Sequence, residues 1–289
     1  MLRVADRITV LKDGRHVETR STADSTPDDL VRLMVGRDAS AFFVKETVEI
    51  GDVVMRAESY FGPGLAEPAS FEVRRGEVLG FGGLVGAGRT ELMELLFGVS
   101  RATAGDLHID GQSYRPRSPR EAVAAGLSLV TEDRGGSGLL PDRSVRENVA
   151  VAWNELRGIL IKGERRLAED IVERLGVVTP SVDQEVKRLS GGNQQKVVIG
   201  RWLAVDAKVY LFDEPTKGVD VGAKHDIYGL IAELLKQGRA VVIVSSDLPE
   251  LLSISDRIAI MRAGRIVATV DAEDATEESL MKEFLGVGG

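Results

Sequence analysis

Gly83-Leu84-Val85-Gly86-Ala87-Gly88-Arg89-Thr90 decides how the rest of the chain is read. The apolar run Val78-Leu79-Gly80-Phe81 ahead of it predicts a buried strand. Behind it, Leu92, Leu95 and Leu96 recur at helical spacing and Gly98 offers a stop. Strand, glycine-rich turn and helix in that order aim backbone N–H groups at a helix N-terminus, a ready site for phosphate. The glycines permit positive φ and close approach of the main chain to an anion. The spacing is that of the nucleotide-binding P-loop, Gly-x-x-x-x-Gly-Lys-Ser/Thr, with Arg89 standing in the lysine position. Arginine keeps the charge, but its planar fork is bulkier and favours bidentate geometry, so the exchange is not conservative. Nucleotide binding is therefore expected here and fast hydrolysis is not.

Composition narrows the alternatives. The chain has 289 residues, room for about two domains or one large one. A hydrophobic content of 43% supports a sizeable core, and 28% charged residues with few aromatics fit an α/β protein. The net charge of −8 argues against nucleic acid as a partner, because phosphate backbones are bound by excess Lys and Arg. With no cysteine there is no disulfide, no thiolate chemistry and no Cys-based zinc site. No apolar run approaches the ~20 residues that span a bilayer, and no signal-peptide pattern opens the chain. A membrane role would have to come through a separate chain.

An internal repeat is visible. Asp6-Arg7-Ile8-Thr9-Val10-Leu11-Lys12-Asp13-Gly14-Arg15 resembles Asp256-Arg257-Ile258-Ala259-Ile260-Met261-Arg262-Ala263-Gly264-Arg265. The register holds without a gap through Thr19/Thr269, Asp24/Asp274, Leu30/Leu280 and Gly36/Gly286. Residues 1–36 read as the tail of an earlier copy of the same domain, residues 37–51 as a linker, and residues 52–289 as the domain itself. On this reading most of the upstream copy is missing.

From Val53 to Val78 short strands are expected around a turn at Gly62-Pro63-Gly64. Tyr60 in that stretch is either core or a platform for an adenine ring. A hairpin is expected at Gly105–Gly111, a short helix from Ser118 to Ala125, and a strand Leu127–Thr131 ending at Glu132-Asp133-Arg134. Residues 142–188 read as mainly helical, with breaks at Gly158, Gly163 and Gly176, within a helical insertion of about residues 133–205. Leu189-Ser190-Gly191-Gly192-Asn193 opens a further helix, where Ser190, Gly191 and Gly192 are placed for an anion. Ser190 also suits an ordinary N-cap. The strand Lys208–Glu214 delivers two carboxylates at its end. In nucleotide-hydrolysing folds Asp213 would hold Mg²⁺ and Glu214 would polarise the attacking water. Asp220 sits in a loop before a helix with Ile227, Leu230, Ile231, Leu234 and Leu235 on one face. Arg239–Ser246 reads as another buried strand. Apolar runs alternating with amphipathic helices predict a mostly parallel sheet covered on both faces, with ligands at the strand ends.

In order and wording these motifs resemble an ABC-transporter ATPase cassette over roughly residues 50–289. More narrowly, Gly83–Thr90, Glu132-Asp133-Arg134 and Leu189–Lys196 resemble the second cassette of tandem ATPases that energise monosaccharide import. The resemblance implies a P-loop cassette fold, with an antiparallel β subdomain and a helical subdomain added to the parallel core. It implies ATP and Mg²⁺ as ligands, with Gly83, Gly86, Gly88, Arg89 and Thr90 on the phosphates, Thr90 and Asp213 on the metal, and Glu214 as the catalytic carboxylate. Ser190, Gly191, Gly192 and Asp220 would complete a site across a head-to-tail pair. Glu132 stands where many cassettes have a glutamine, and its carboxylate could approach the metal. Ser246 stands where the family usually has a histidine. The implied partners are an upstream cassette or second copy, a transmembrane sugar permease touched by Asp133–Asn148, and indirectly a sugar-binding protein. The implied location is the cytoplasmic face of the membrane. Two other readings compete: a soluble ABC ATPase without a permease, and a non-catalytic fragment. The first of these often carries a long charged linker or basic extension, and none is visible here.

Overall fold

In the computed structural model, which describes residues 5–12, 15–25, 30, 33, 48–157 and 163–286, the chain opens with a hairpin. Its strands are β1 (Arg7–Lys12) and β2 (Arg15–Ser21). Next come β3 (Val53–Phe61), β4 (Ala69–Arg74) and β5 (Val78–Gly82), which leads into helix α1 (Arg89–Phe97). The hairpin β6 (Ala104–Ile109) and β7 (Gln112–Tyr114) is followed by α2 (Pro119–Ala125) and β8 (Leu127–Val130). Three helices follow: α3 (Val145–Arg157), α4 (Glu164–Arg174) and α5 (Gly191–Leu203). Then β9 (Val209–Asp213), α6 (Val221–Lys236), β10 (Ala240–Val244) and α7 (Leu248–Ile254) alternate. The last elements are β11 (Arg257–Arg262), β12 (Arg265–Asp271) and α8 (Glu277–Leu285).

The main sheet runs β12-β11-β5-β10-β9-β8, parallel except for the edge strand β12, which pairs antiparallel with β11. The other large sheet is antiparallel, β4-β3-β6-β7. The continuous apolar strands are explained by two cores, one on each face of the main sheet. In β10, Val241 and Ile243 enter one core while Ala240, Val242 and Val244 enter the other. In β9, Tyr210 and Phe212 go one way, and Val209 and Leu211 the other. A strand buried on both faces has no position left for a polar side chain, so its polar residues collect at the ends. The first core is closed by α3 to α8 and the second by α1 and the antiparallel sheet.

The expected elements occur close to their expected places, with one correction. The stretch 142–188 is helical only through α3 and α4; Gly176 takes φ 56°, and residues 175–190 run as turns with one 3₁₀ turn at Val186–Arg188. Thr179-Pro180-Ser181 lacks helical chemistry, and its backbone groups are satisfied locally, as in Gln184 N donating to Ser181 O at 3.1 Å. Gly158 and most of the expected linker lie outside the described residues. Tyr60 is fully buried and donates its hydroxyl to Leu95 O at 3.2 Å, so it is core and not a platform for a base. Among the described residues no helix is long and apolar enough to cross a membrane.

The repeat in the sequence is reproduced in the backbone. Arg7↔Ser21, Ile8↔Arg20 and Thr9↔Thr19 pair as Arg257↔Asp271, Ile258↔Val270 and Ala259↔Thr269 do. Both hairpins carry an irregularity at the same step, Val10/Leu11 and Ile260/Met261. Each ends in a 3₁₀ turn tied back to an aspartate carbonyl: Thr22 N to Asp6 O at 3.0 Å, and Ala272 N to Asp256 O at 2.8 Å.

The turn of the second hairpin braces the glycine-rich loop. Gly264 N donates to Ala87 O at 2.9 Å, and Gly264 O accepts from Ala66 N at 2.8 Å. Gly264 has φ 77°, and a Cβ there would lie 2.6 Å from Ala66 N. Gly264→Ala is expected to destabilise the protein by about 2–5 kcal/mol, left-handed strain plus overpacking. Gly111→Ala, at φ 73° with open space around the new methyl, is expected to show only the strain, about 1–2 kcal/mol. Urea unfolding of the two variants measures the difference.

Candidate functional site

Three neighbouring strand ends build the site. β5 runs into the loop Gly83–Gly88, β9 ends on Asp213-Glu214, and β10 ends on Ser245-Ser246. Gly86 and Gly88 take φ 80° and 96°, and Gly88 is the residue from which α1 starts. Only at Gly86 would a side chain meet open space; at Gly88 a Cβ would lie 3.1 Å from both Gly264 Cα and Gly64 O. One glycine thus leaves the loop open outward, and the other is set by packing from behind. Leu84 and Val85 are exposed at the tip, Val85 at 93%.

Arg89 is 7% exposed. Its Nη1 donates to the carbonyl of Ser245 at 2.8 Å, and its Nη2 lies 3.9 Å from Glu214 Oε1. The other oxygen, Glu214 Oε2, accepts from Ser246 Oγ at 3.1 Å. Glu214 is buried and sits at φ 50°, a strained position for a non-glycine residue, with its N–H donating to Val244 O at 3.0 Å. Two of the three residues that depart from the family pattern, Arg89 and Ser246, therefore converge on one carboxylate.

Asp213 is 3% exposed, and its Oδ1 has no hydrogen-bond partner. Burial pushes its carboxyl up to about 6, against the lowering effect of a hydrogen bond with Thr90. An orphaned buried carboxylate oxygen beside a threonine hydroxyl fits Mg²⁺, which is held by one or two carboxylates plus substrate phosphates and waters. Glu132 stands close enough to Asp213 for its charge to act on it, and it is also paired with a lysine. Its hydrogen bond goes to Lys217 Nζ.

Ser190 stands at the second half of the predicted site. It is the N-cap of α5, with Oγ accepting from Asn193 N at 3.4 Å and Asn193 Nδ2 at 2.9 Å. Asn193 Oδ1 in turn accepts from Val178 N at 2.8 Å. Asp220 caps α6 through Ala223 N at 2.9 Å, and a Cβ on Gly192 would lie 3.1 Å from Asp220 Oδ2. Within the chain, then, the Ser190–Gly192 turn packs on Asp220, while the Gly83–Thr90 loop packs on Asp213, Glu214 and Ser245. A groove of about 850 Å³ borders Ser190, Asn193, Lys196 and Asp220, and its lining comes from the α4 to α6 side rather than from the Gly83–Thr90 loop. The segment Asp133–Asn148 ends in the interior. Asn148 is fully buried and receives Arg201 on both its carbonyl, at 2.9 Å, and its Oδ1, at 3.1 Å. Desolvation lowers the Arg201 guanidinium to about 10.

Ser245, Thr216, Lys217, Tyr228 and Glu250 are the polar residues near the site that motif reading missed. Glu250 had a signal that pointed elsewhere. Asp247-x-x-Glu250 spells a helix-capping pair, which would turn Glu250 back to the Asp247 amide. That amide donates instead to Ser245 Oγ at 3.0 Å.

Residues 66–217 match the family described as ABC transporter, and the chain belongs to that family. The fold is that of its ATPase cassette: a nucleotide-free ATP-binding cassette from an ABC transporter superposes with a TM-score of 0.66 at 26% identity, over 81% of this chain and 96% of the other. Similar relatives include the arabinose import ATP-binding protein AraG of Mannheimia succiniciproducens, 46% identical over all of this chain and 59% of the relative. The ribose import ATP-binding protein RbsA 3 of Rubrobacter xylanophilus is 44% identical over 99% of this chain and 58% of its own length. The chain thus spans less than two thirds of the curated relatives it matches.

The raised Asp213 value has a pH signature. The folded state binds its proton more tightly than the unfolded state, where the value is about 3.9. The penalty is absent below pH ~4, grows as pH rises and is complete above about 6. In metal-free, nucleotide-free protein, Asp213→Asn is expected to gain about 2–3 kcal/mol relative to wild type between pH 4 and pH 7. Urea unfolding at the two pH values reads it.

Proposed function

We propose that the chain supplies an ATP-binding cassette of a monosaccharide importer, with a weak nucleotide site of its own and a sound signature turn for a second cassette. The observation that carries this reading is the convergence of Arg89 and Ser246 on Glu214, at 3.9 and 3.1 Å, beside an intact and capped Ser190–Gly192 turn. A glutamate engaged at both oxygens is poorly placed to receive a proton from an attacking water. The intact turn presents the N-terminus of α5 to a triphosphate held elsewhere.

On this reading ATP lies on the Gly83–Thr90 loop, with Thr90 and Asp213 toward Mg²⁺. The metal would neutralise charge on the β- and γ-phosphates. The rest of the work is done by the chain: the loop N–H groups position the phosphates, and Arg89 must leave the Ser245 carbonyl to meet them. Ser190, Gly191, Gly192 and Asp220 act on the triphosphate of a partner cassette in a head-to-tail pair. The matched hairpins support an upstream cassette on the same chain, with residues 1–36 as its tail. The further partners are a transmembrane permease, facing the exposed part of Asp133–Asn148, and a sugar-binding protein beyond it. The cassette then works at the cytoplasmic face of the membrane. The names of the relatives, arabinose and ribose import proteins, favour a pentose or similar monosaccharide as cargo.

In a protein carrying both cassettes, Ser190→Arg is expected to lower ATP turnover at least ~100-fold and Arg89→Ala less than ~3-fold. These are the scales of a lost charge-stabilising contact and of a group outside the transition state. Steady-state phosphate release checks the order of the two effects, and the reverse order overturns the asymmetry.

A further inference from the structure

Glu250 lies on α7 and is 1% exposed. A carboxylate in that position would be costly without partners, and it has three hydroxyls. Thr216 Oγ1 donates to Oε1 at 2.6 Å, Tyr228 OH donates to the same oxygen, and Ser245 Oγ donates to Oε2. The three donors come from three separate pieces of the fold. Ser245 ends β10, and its carbonyl is the acceptor for Arg89. Thr216 lies two residues beyond Glu214, at the start of the loop that runs to Asp220. Tyr228 is on α6, the helix that Asp220 caps. Desolvation and the Glu250 charge raise the Tyr228 phenol well above its ordinary value, so it stays a donor at any ordinary pH.

We infer that Glu250 is a positioning residue that holds the Arg89 cradle and the Asp220 loop in fixed relation, a role that rests on reading the cradle as a nucleotide site. The argument is geometric. The three hydroxyls meet at one rigid carboxyl group, so the end of β10 and the Thr216 loop cannot move independently while all three bonds stand. Arg89 joins one side of this junction, and Asp220, which packs on Gly192 of the signature turn, joins the other. A change at the cradle that shifts Ser245 therefore reaches the surface offered to a second cassette through Glu250. Ordinary helix capping would not require this. The capping task at the start of α7 is already met by Asp247, whose Oδ1 accepts from Glu250 N at 3.2 Å.

The test uses the 289-residue chain with Glu250→Gln, Thr216→Val and their double variant. Glu250→Gln places an amide N–H₂ among hydroxyl donors, and Thr216→Val removes one donor at nearly constant shape. Hydrogen exchange is followed by mass spectrometry in segments 214–223 and 244–248, with the affinity for fluorescent N-methylanthraniloyl-ATP measured in parallel. Glu250→Gln is expected to speed exchange about 10-fold in both segments and to weaken the nucleotide about 10-fold, the scale of one lost buried hydrogen bond to a charged group. Thr216→Val is expected to speed exchange in 214–223 and to add less than twofold there in the Glu250→Gln background, because the two act through one bond. Exchange changes confined to 247–254, or effects of the two substitutions that simply multiply, would overturn the assignment. Should Glu250→Gln fail to fold, Thr216→Val and Tyr228→Phe carry the test. Either one speeding exchange in 214–223 with a matched loss of affinity supports it, and both staying within twofold of wild type on both readouts overturns it. A chain that binds no nucleotide sinks the reading of the cradle, while the exchange data still judge Glu250.

Discussion

The parallel register of β5, β10 and β9 brings together the glycine-rich loop, Asp213-Glu214 and Ser245-Ser246. Val244 stands opposite Phe81 on one side and Asp213 on the other, so three strands end at the same level. Adjacent strands are about 4.8 Å apart, which puts the glycine-rich loop, the Ser245-Ser246 pair and the Asp213-Glu214 pair within one side chain's reach of each other. What fixes the register is apolar. A slip of one residue in β10 would exchange Val241 and Ile243 with Val242 and Val244 between two cores that are packed to different neighbours.

Electrostatics then decides what that cluster can do. Asp213, Glu214 and Glu132 crowd the same region as Arg89 and Lys217. In a partly desolvated site such charges interact several times more strongly than in water. An ammonium is a point charge, whereas the guanidinium has five N–H donors in a fork. Arg89 can therefore hold a main-chain carbonyl and face a carboxylate at once, as it does here. An arriving triphosphate has to compete with both.

Much of this was legible in the sequence where the signal was local. Gly83–Thr90, the strand ending Asp213-Glu214 and the turn at Ser190 each carry their signal within a few residues, and each lies at the strand end or helix start expected of it. What the local signals left open or missed has physical causes. Tyr60 sits in a strand with the right alternation for either role, and only the packing of α1 over it, with Leu95 O in reach, separates the two. Residues 177–188 close a stretch that reads as mainly helical, but Thr179-Pro180-Ser181 prefers local turns. Glu132 was read by its position in a motif, and its partner Lys217 lies far along the chain. Glu250 is visible only in three dimensions, since its three hydroxyl partners come from two other strand ends and a helix.

The brace at Gly264 ties the phosphate-binding loop to the far end of the chain through Ala87 and Ala66. That loop therefore takes its final shape only once β11 and β12, far downstream in sequence, have paired and docked. Until then the loop has its glycines but not the backing that Gly264 gives at Ala87.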